Sequence, residues 1–225
     1  MCRAGRYNLC PDVRFFGTPP IDGAFCEYVV LATDFAYRVP DSMSDDAAGL
    51  LEPLSVAVWA NRKARTRVGS SLLVTGAGPI GLLVVQVAVA AGAADVVVSD
   101  VDLHRRELVL RFGATAVLDP ASAVEQLSAE TFIDCSGVAP AVTTGLSSLR
   151  PGGTAVLVGM GADEVPLPVS LLQDRELTIT GTFRYANTWT QARLNRGRFD
   201  TGHLMWLSVA RDAPDRPGPS HVASA

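Results

Sequence analysis

Gly76-Ala77-Gly78-Pro79-Ile80-Gly81 is a G-x-G-x-x-G run, a spacing that lets a chain turn tightly and admit a pyrophosphate. Gly76 permits the turn, Gly78 the close approach of phosphate oxygens, and Gly81 the close packing of a helix on a strand. Alone the pattern is weak, because 20 of the 225 residues are glycine. Its setting strengthens it. The run follows the β-rich segment Ser71–Thr75 and opens an apolar helix near Ile80, whose free first-turn N–H groups suit phosphate. Pro79 belongs to the same expected cofactor-binding turn. Asp100 stands nineteen residues after Gly81, at the end of the β-rich segment Asp95–Ser99. A carboxylate there can accept both ribose hydroxyls of NAD and repels the 2′-phosphate of NADP. It could instead cap the helix beginning near Leu103, although Asp102 is better placed for that. Arg105 could stack on adenine, pair with Asp100 or merely occupy a helix surface. NAD is the expected cofactor.

The elements that would position these residues alternate. Further β-rich runs fall at Ala116–Leu118, Thr131–Cys135, Thr154–Val158 and Leu177–Thr182, with helical segments at Ile80–Ala91, Leu103–Phe112 and near Ala139–Leu149. Gly92-Ala93 and Gly113-Ala114 close the first two helices as glycine C-caps would. This alternation predicts an α/β fold with a doubly wound parallel sheet of Rossmann type, covered on both faces, over residues 68–200. Residues 1–67 are rich in turns. Within them Phe25–Leu31 and Phe35–Val39 read as strands, and Glu52-Pro53 reads as a helix start with Leu54, Val56, Ala57 and Trp59 on one buried face. Residues 201–225 lose the pattern, and Arg211–Ala225 reads as a disordered tail.

A formal charge of −4 and scattered arginines weigh against nucleic acid as a partner. The uncharged stretch between Arg67 and Asp95 is divided by Gly76–Pro79 into a strand and a helix, each too short for a bilayer. The opening Met-Cys-Arg-Ala-Gly-Arg-Tyr has no apolar signal-peptide core, so a cytoplasmic location is expected. There the four cysteines would be thiols or metal ligands rather than disulfides.

Five segments carry a family likeness: CRAGRYNLCP within Met1–Pro11, FFGTPPIDGAF (Phe15–Phe25), LEPLSVA (Leu51–Ala57), VTGAGPIG (Val74–Gly81) and TFRYANTW (Thr182–Trp189). Together they resemble zinc-dependent medium-chain dehydrogenases, in particular the sorbitol (polyol) dehydrogenase branch. The resemblance runs from residue 1 to about residue 200. It implies that residues 1–67 are the remnant of a GroES-like β catalytic domain, and that the reaction is oxidation of a polyol or other secondary alcohol by hydride transfer to NAD. It places Glu52 beside the catalytic zinc, although by itself Glu52 reads as a first-turn carboxylate favoured by the helix dipole. It places Arg184 and Tyr185 at the substrate or nicotinamide end, and Ile80, Asp100 and Arg105 among the cofactor contacts. Cys135 with Ser136, Val158-Gly159-Met160 and Thr182-Phe183-Arg184 become the strand ends flanking the nicotinamide.

Cys2 and Cys10 resemble the last two of four cysteines in the family's structural zinc lobe, of which only half would then be present. The family's catalytic cysteine and His-Glu pair would lie before the point where this chain starts. Its histidines, His104, His203 and His221, are none of them followed by glutamate. A chain truncated at both ends relative to the family is therefore expected, with little or no dehydrogenase activity by itself. A non-catalytic NAD-binding module and an inactive gene fragment remain open as alternatives. Homo-oligomers through the Rossmann sheet edge, by way of Leu167–Leu172 and Leu177–Thr182, are a further expectation.

Overall fold

The computed structural model describes residues 1–121, 127–161 and 163–194. The tail at 201–225, with Arg211–Ala225 in it, lies outside them, as do His203 and His221.

Among the described residues six strands form one parallel sheet: β1 (Ser71–Thr75), β2 (Asp95–Ser99), β3 (Ala116–Leu118), β4 (Ala129–Asp134), β5 (Leu149–Leu157) and β6 (Thr178–Gly181). They lie in the order β3-β2-β1-β4-β5-β6, so the order reverses between β1 and β4. Ligands of open α/β sheets bind outside the carboxyl ends of the strands at such a reversal. In register, Thr75 stands opposite Ser99 on one side and Asp134 on the other.

The central strands are apolar because both faces are covered. Leu72, Val74, Ile133 and Val156 point to one face, where they pack with α2 (Leu51–Ala64), α3 (Pro79–Ala90) and α4 (Leu103–Arg111). The alternating residues Leu73, Phe132 and Ala155 point to the other, against Val142 and Leu146 of α5 (Ala139–Ser147). A period of two along each strand thus feeds two cores. Each fully buried Leu, Ile or Phe contributes about 1.5–3 kcal/mol.

The helices follow local signals. Gly92 and Gly113 have φ of 90° and 100°, the left-handed values that a glycine C-cap adopts. Asp102 caps α4, its carboxylate accepting the Arg105 N–H at 3.1 Å. Pro53 stands in the first turn of α2, where a missing N–H costs nothing. Leu54 and Ala57 are buried, and Val56 and Trp59 half-buried. Helix α2 also crosses α3, and the Asn61 amide fixes that crossing by donating to the Val84 carbonyl at 3.1 Å. Three short helices, α1 (Asp45–Gly49), α6 (Val169–Asp174) and α7 (Trp189–Leu194), complete the order. Among the described residues no helix is long and apolar enough to cross a membrane.

The expected strands at Phe25–Leu31 and Phe35–Val39 do not form. The chain there is irregular, with one 3-10 turn at Thr33–Phe35, and Phe25, Tyr28 and Val30 are exposed. A strand exists only where a neighbour satisfies its N–H and C=O groups, and the described residues offer none to this segment. Residues 1–67 accordingly hold no β-strand.

Candidate dinucleotide-binding site

The glycine turn is built for close approach. Gly76 has φ +87°, and a Cβ there would stand 3.0 Å from the Cys135 carbonyl carbon and the Ser136 nitrogen. A Cβ on Gly81 would collide with the Gly76 carbonyl oxygen, so α3 packs on the turn only without a side chain at that position. Gly78 is the residue before the first turn of α3, and Pro79 opens it. Ile80 is half-buried against the core. This leaves a backbone cradle with the helix N-terminus facing it.

Asp100 closes the cradle's far side. Its carboxylate is buried, accepting the Ala77 N–H at 2.7 Å and the Asp102 N–H at 2.8 Å. The cap of α4 is the separate carboxylate of Asp102. The Arg105 guanidinium lies 3.8 Å from Asp100 Oδ2, and a Cβ on Gly78 would come within 3.9 Å of it. Arg105 is therefore both paired with Asp100 and near the turn. The cradle and the carboxylate fit a dinucleotide.

The strand ends beyond β4, β5 and β6 gather beside the turn. Cys135 follows β4, half-buried, and its N–H donates to the Thr75 carbonyl at 2.8 Å. Burial, with Asp134 as a second cause, pushes the Cys135 thiol well above its ordinary range. Val158 and Gly159 both donate to the Asp134 carbonyl at 2.9 Å, while the Met160 side chain is exposed at the rim. The Thr182 N–H donates to the Leu157 carbonyl at 3.0 Å. Phe183 is half-exposed and meets the Phe15 ring edge-on, centroids 5.8 Å apart.

Segments remote in sequence meet at Arg184 and Tyr185. The Arg184 guanidinium lies 3.9 Å from the Phe15 ring centroid and donates to Thr18 Oγ1 at 2.6 Å. Tyr185 stands beside the exposed Glu52 carboxylate at the start of α2. Burial first, then the charge of Glu52, holds that phenol far above its usual value. Asn187 is pinned to the N-terminal segment, donating its side chain to the Gly5 carbonyl and its N–H to the Tyr7 hydroxyl, both at 2.8 Å.

The cysteine pair is also brought together. The neighbouring Cys10 side chain raises the Cys2 thiol's pKa. Two sulfurs are half of a tetrahedral zinc site. Among the described residues no group of three or more His, Cys, Asp or Glu side chains could hold a metal, so they do not fit the family's zinc. His104 is exposed on α4.

Sequence reasoning missed Asp134, Asn8 and Arg62. Asn8 is buried and donates to the Phe183 carbonyl at 2.9 Å. Arg62 donates to the Asn187 carbonyl at 2.9 Å. Both act over more than a hundred residues, so no local pattern marks them. Asp134 carried a signal, an Asp two residues before Ser136 and three before Gly137, which suits a side-chain-stabilised turn.

Residues 79–195, just over half of the chain, match the model of the zinc-binding dehydrogenases. The chain belongs to this family. It is 37% identical over 231 residues to the sorbitol dehydrogenase of Bacillus subtilis, covering 96% of this chain and 65% of that protein. It is 40% identical over 196 residues to the D-xylulose reductase of Saccharomyces cerevisiae, covering 81% of this chain and 55% of that one. A Sinorhizobium meliloti protein described as a zinc-binding dehydrogenase, solved with NADP bound, superposes with a TM-score of 0.85 at 28% identity. That superposition covers 96% of this chain and 70% of the other. This zinc-binding dehydrogenase chain therefore spans a little over half to about two thirds of the curated relatives it matches. The expected α/β sheet and family are both borne out.

Proposed function

We propose that this chain is the NAD-binding part of a polyol dehydrogenase, one that oxidises a secondary alcohol by hydride transfer to NAD. The observation that carries the reading is Asp100, a buried carboxylate joined by hydrogen bond to the glycine turn. A fixed negative charge beside the ribose favours its hydroxyls and repels a 2′-phosphate. The likeness to sorbitol dehydrogenase and D-xylulose reductase supplies the substrate class, a polyol or related small secondary alcohol.

In this reading the turn Gly76–Gly81 and the first turn of α3, with Pro79 and Ile80, hold the pyrophosphate. Asp100 takes the ribose hydroxyls, with Arg105 beside it. Cys135, Val158, Gly159, Met160, Thr182 and Phe183 flank the nicotinamide end. When bound, NAD supplies the hydride acceptor, and the protein supplies binding and orientation. Tyr185 stands beside Glu52, while Arg184, braced by Phe15 and Thr18, serves the substrate or nicotinamide end. No step is assigned to zinc. Because the described residues lack a zinc ligand set, dehydrogenase turnover by this chain alone is expected to be low. Nucleic acid and membranes are not assigned as partners, whereas a second copy could pair along the edge strand β6.

Calorimetric titration of the full chain with NADH and NADPH tests the cofactor assignment, and an assay of sorbitol-dependent NADH formation tests the turnover. Support would be NADH binding at least about tenfold tighter than NADPH, a difference of about 1.4 kcal/mol. No heat with either nucleotide, or a preference for NADPH, would overturn the NAD assignment. Brisk sorbitol oxidation by the purified chain would overturn the expected impairment.

A further inference from the structure

Asp134 is 1% exposed, and its carboxylate is surrounded by donors from two strands' ends. Oδ1 accepts from Thr75 Oγ1 at 2.8 Å, from the Ser136 N–H at 3.0 Å and from Ser136 Oγ at 2.6 Å. Oδ2 accepts the Gly137 N–H at 3.1 Å. The Thr75 bond crosses the point where the strand order reverses, because Thr75 and Asp134 are register partners of β1 and β4. Leaving such donors unsatisfied in a buried place is costly, so the turn 135–137 is fixed by this one side chain.

The fixed turn touches both neighbours. Ser136 and Cys135 are what a Cβ on Gly76 would meet, so the turn walls the glycine cradle. Gly137, at φ +68°, packs its backbone on the segment after β5: a Cβ there would stand 2.5 Å from the Met160 carbonyl oxygen. Cβ atoms on Gly159 or Gly161 would in turn collide with the Gly137 backbone. Asp134 also holds that segment through its own carbonyl, which accepts from Val158 and Gly159.

We infer that Asp134 is a positioning residue, whose buried carboxylate sets the turn after β4 against the segment after β5 and so shapes the surface for the nicotinamide half of the cofactor. It touches neither phosphate nor adenosine groups of the site; Asp100 and the glycine turn hold those. This rests on the NAD-binding reading above, so the test separates the two halves of the cofactor.

The full chain and its Asp134→Asn variant are titrated with ADP-ribose, which lacks nicotinamide, and with NADH. The amide of Asn can keep the bonds to one oxygen but turns an NH2 group toward the Gly137 N–H. The expected result is ADP-ribose affinity within about twofold of wild type, with NADH weakened about tenfold, the loss of one hydrogen bond to a charged group. The emission of bound NADH is expected to be blue-shifted in wild type and to move toward that of the free nucleotide in the variant. Should Asp134→Asn not fold, Ser136→Ala must show the same selective loss at smaller size. Equal weakening of both ligands marks a general structural role and overturns the inference, as does unchanged NADH binding. A wild-type chain that binds neither ligand overturns the cofactor reading itself, and this inference with it.

Discussion

Asp100 Oδ2 accepts the Ala77 N–H at 2.7 Å, so the end of β2 is tied to the middle of the glycine turn that follows β1. The acid that would read the ribose is thereby held before any ligand arrives. Its other oxygen is anchored by the Asp102 N–H, which fixes the carboxylate plane at two points. Preorganised polar groups of this kind lower the ordering cost of binding. The backbone beneath is held too, for Arg106 bridges the Asp100 carbonyl and the Asp119 carboxylate.

Replacing Asp100 should therefore do two things. Asp100→Ala strands the Ala77 N–H, a loss of about 1–3 kcal/mol where the donor is buried. It also removes the repulsion of a 2′-phosphate. NADH affinity is expected to fall about tenfold or more while the NADH-to-NADPH preference narrows toward parity, read by parallel fluorescence titrations. A variant that keeps the full preference would show that selectivity lies elsewhere.

Gly81 and Gly49 make a contrasting pair. A Cβ on Gly81 collides with the Gly76 carbonyl, a backbone atom that cannot step aside, whereas a Cβ on Gly49 meets nothing within 4 Å. Gly81→Ala should cost about 1–3 kcal/mol of stability or more by overpacking, and should abolish cofactor binding. Gly49→Ala, inside α1, should be neutral or stabilising by up to about 1 kcal/mol. Thermal unfolding of both variants checks the difference. Equal melting temperatures would contradict the cradle geometry.

Cys135 gives a pH dependence with a definite sign. Its thiol is pushed up from an ordinary value of 9.0, chiefly by burial and secondly by Asp134. The folded thiol keeps its proton where the unfolded one has lost it. The stability tied to this group is thus complete below about pH 9 and drains away as pH rises further. Urea midpoints between about pH 7.5 and about pH 10.5 should fall more steeply for wild type than for Cys135→Ala. Parallel slopes would place Cys135 in an ordinary environment.

What the sequence made legible follows from the range of each interaction. The glycine turn, α3 and the caps at Gly92, Gly113 and Asp102 are local devices, so their residues announce them. Asp100 was legible because a strand-turn-helix-strand unit has a nearly fixed length. The segment around Phe25 and Tyr28 misled because apolar, β-branched composition states only what a chain would do beside a neighbouring strand. Asp134 carried a local turn signal toward Ser136 and Gly137, but its bond to Thr75, 59 residues away, left none. The Glu52–Tyr185 and Arg184–Thr18 contacts are longer-range still, and composition alone gives no hint of them.

The most direct measurement is a crystal structure of the full chain grown with NADH. The expected result is one nucleotide per chain, its pyrophosphate over Gly76–Gly81, its adenosine ribose on the Asp100 carboxylate and its nicotinamide beside Cys135 and Gly159. A nucleotide seated away from the β1–β4 reversal, or a ribose that leaves Asp100 untouched, would contradict the assignment.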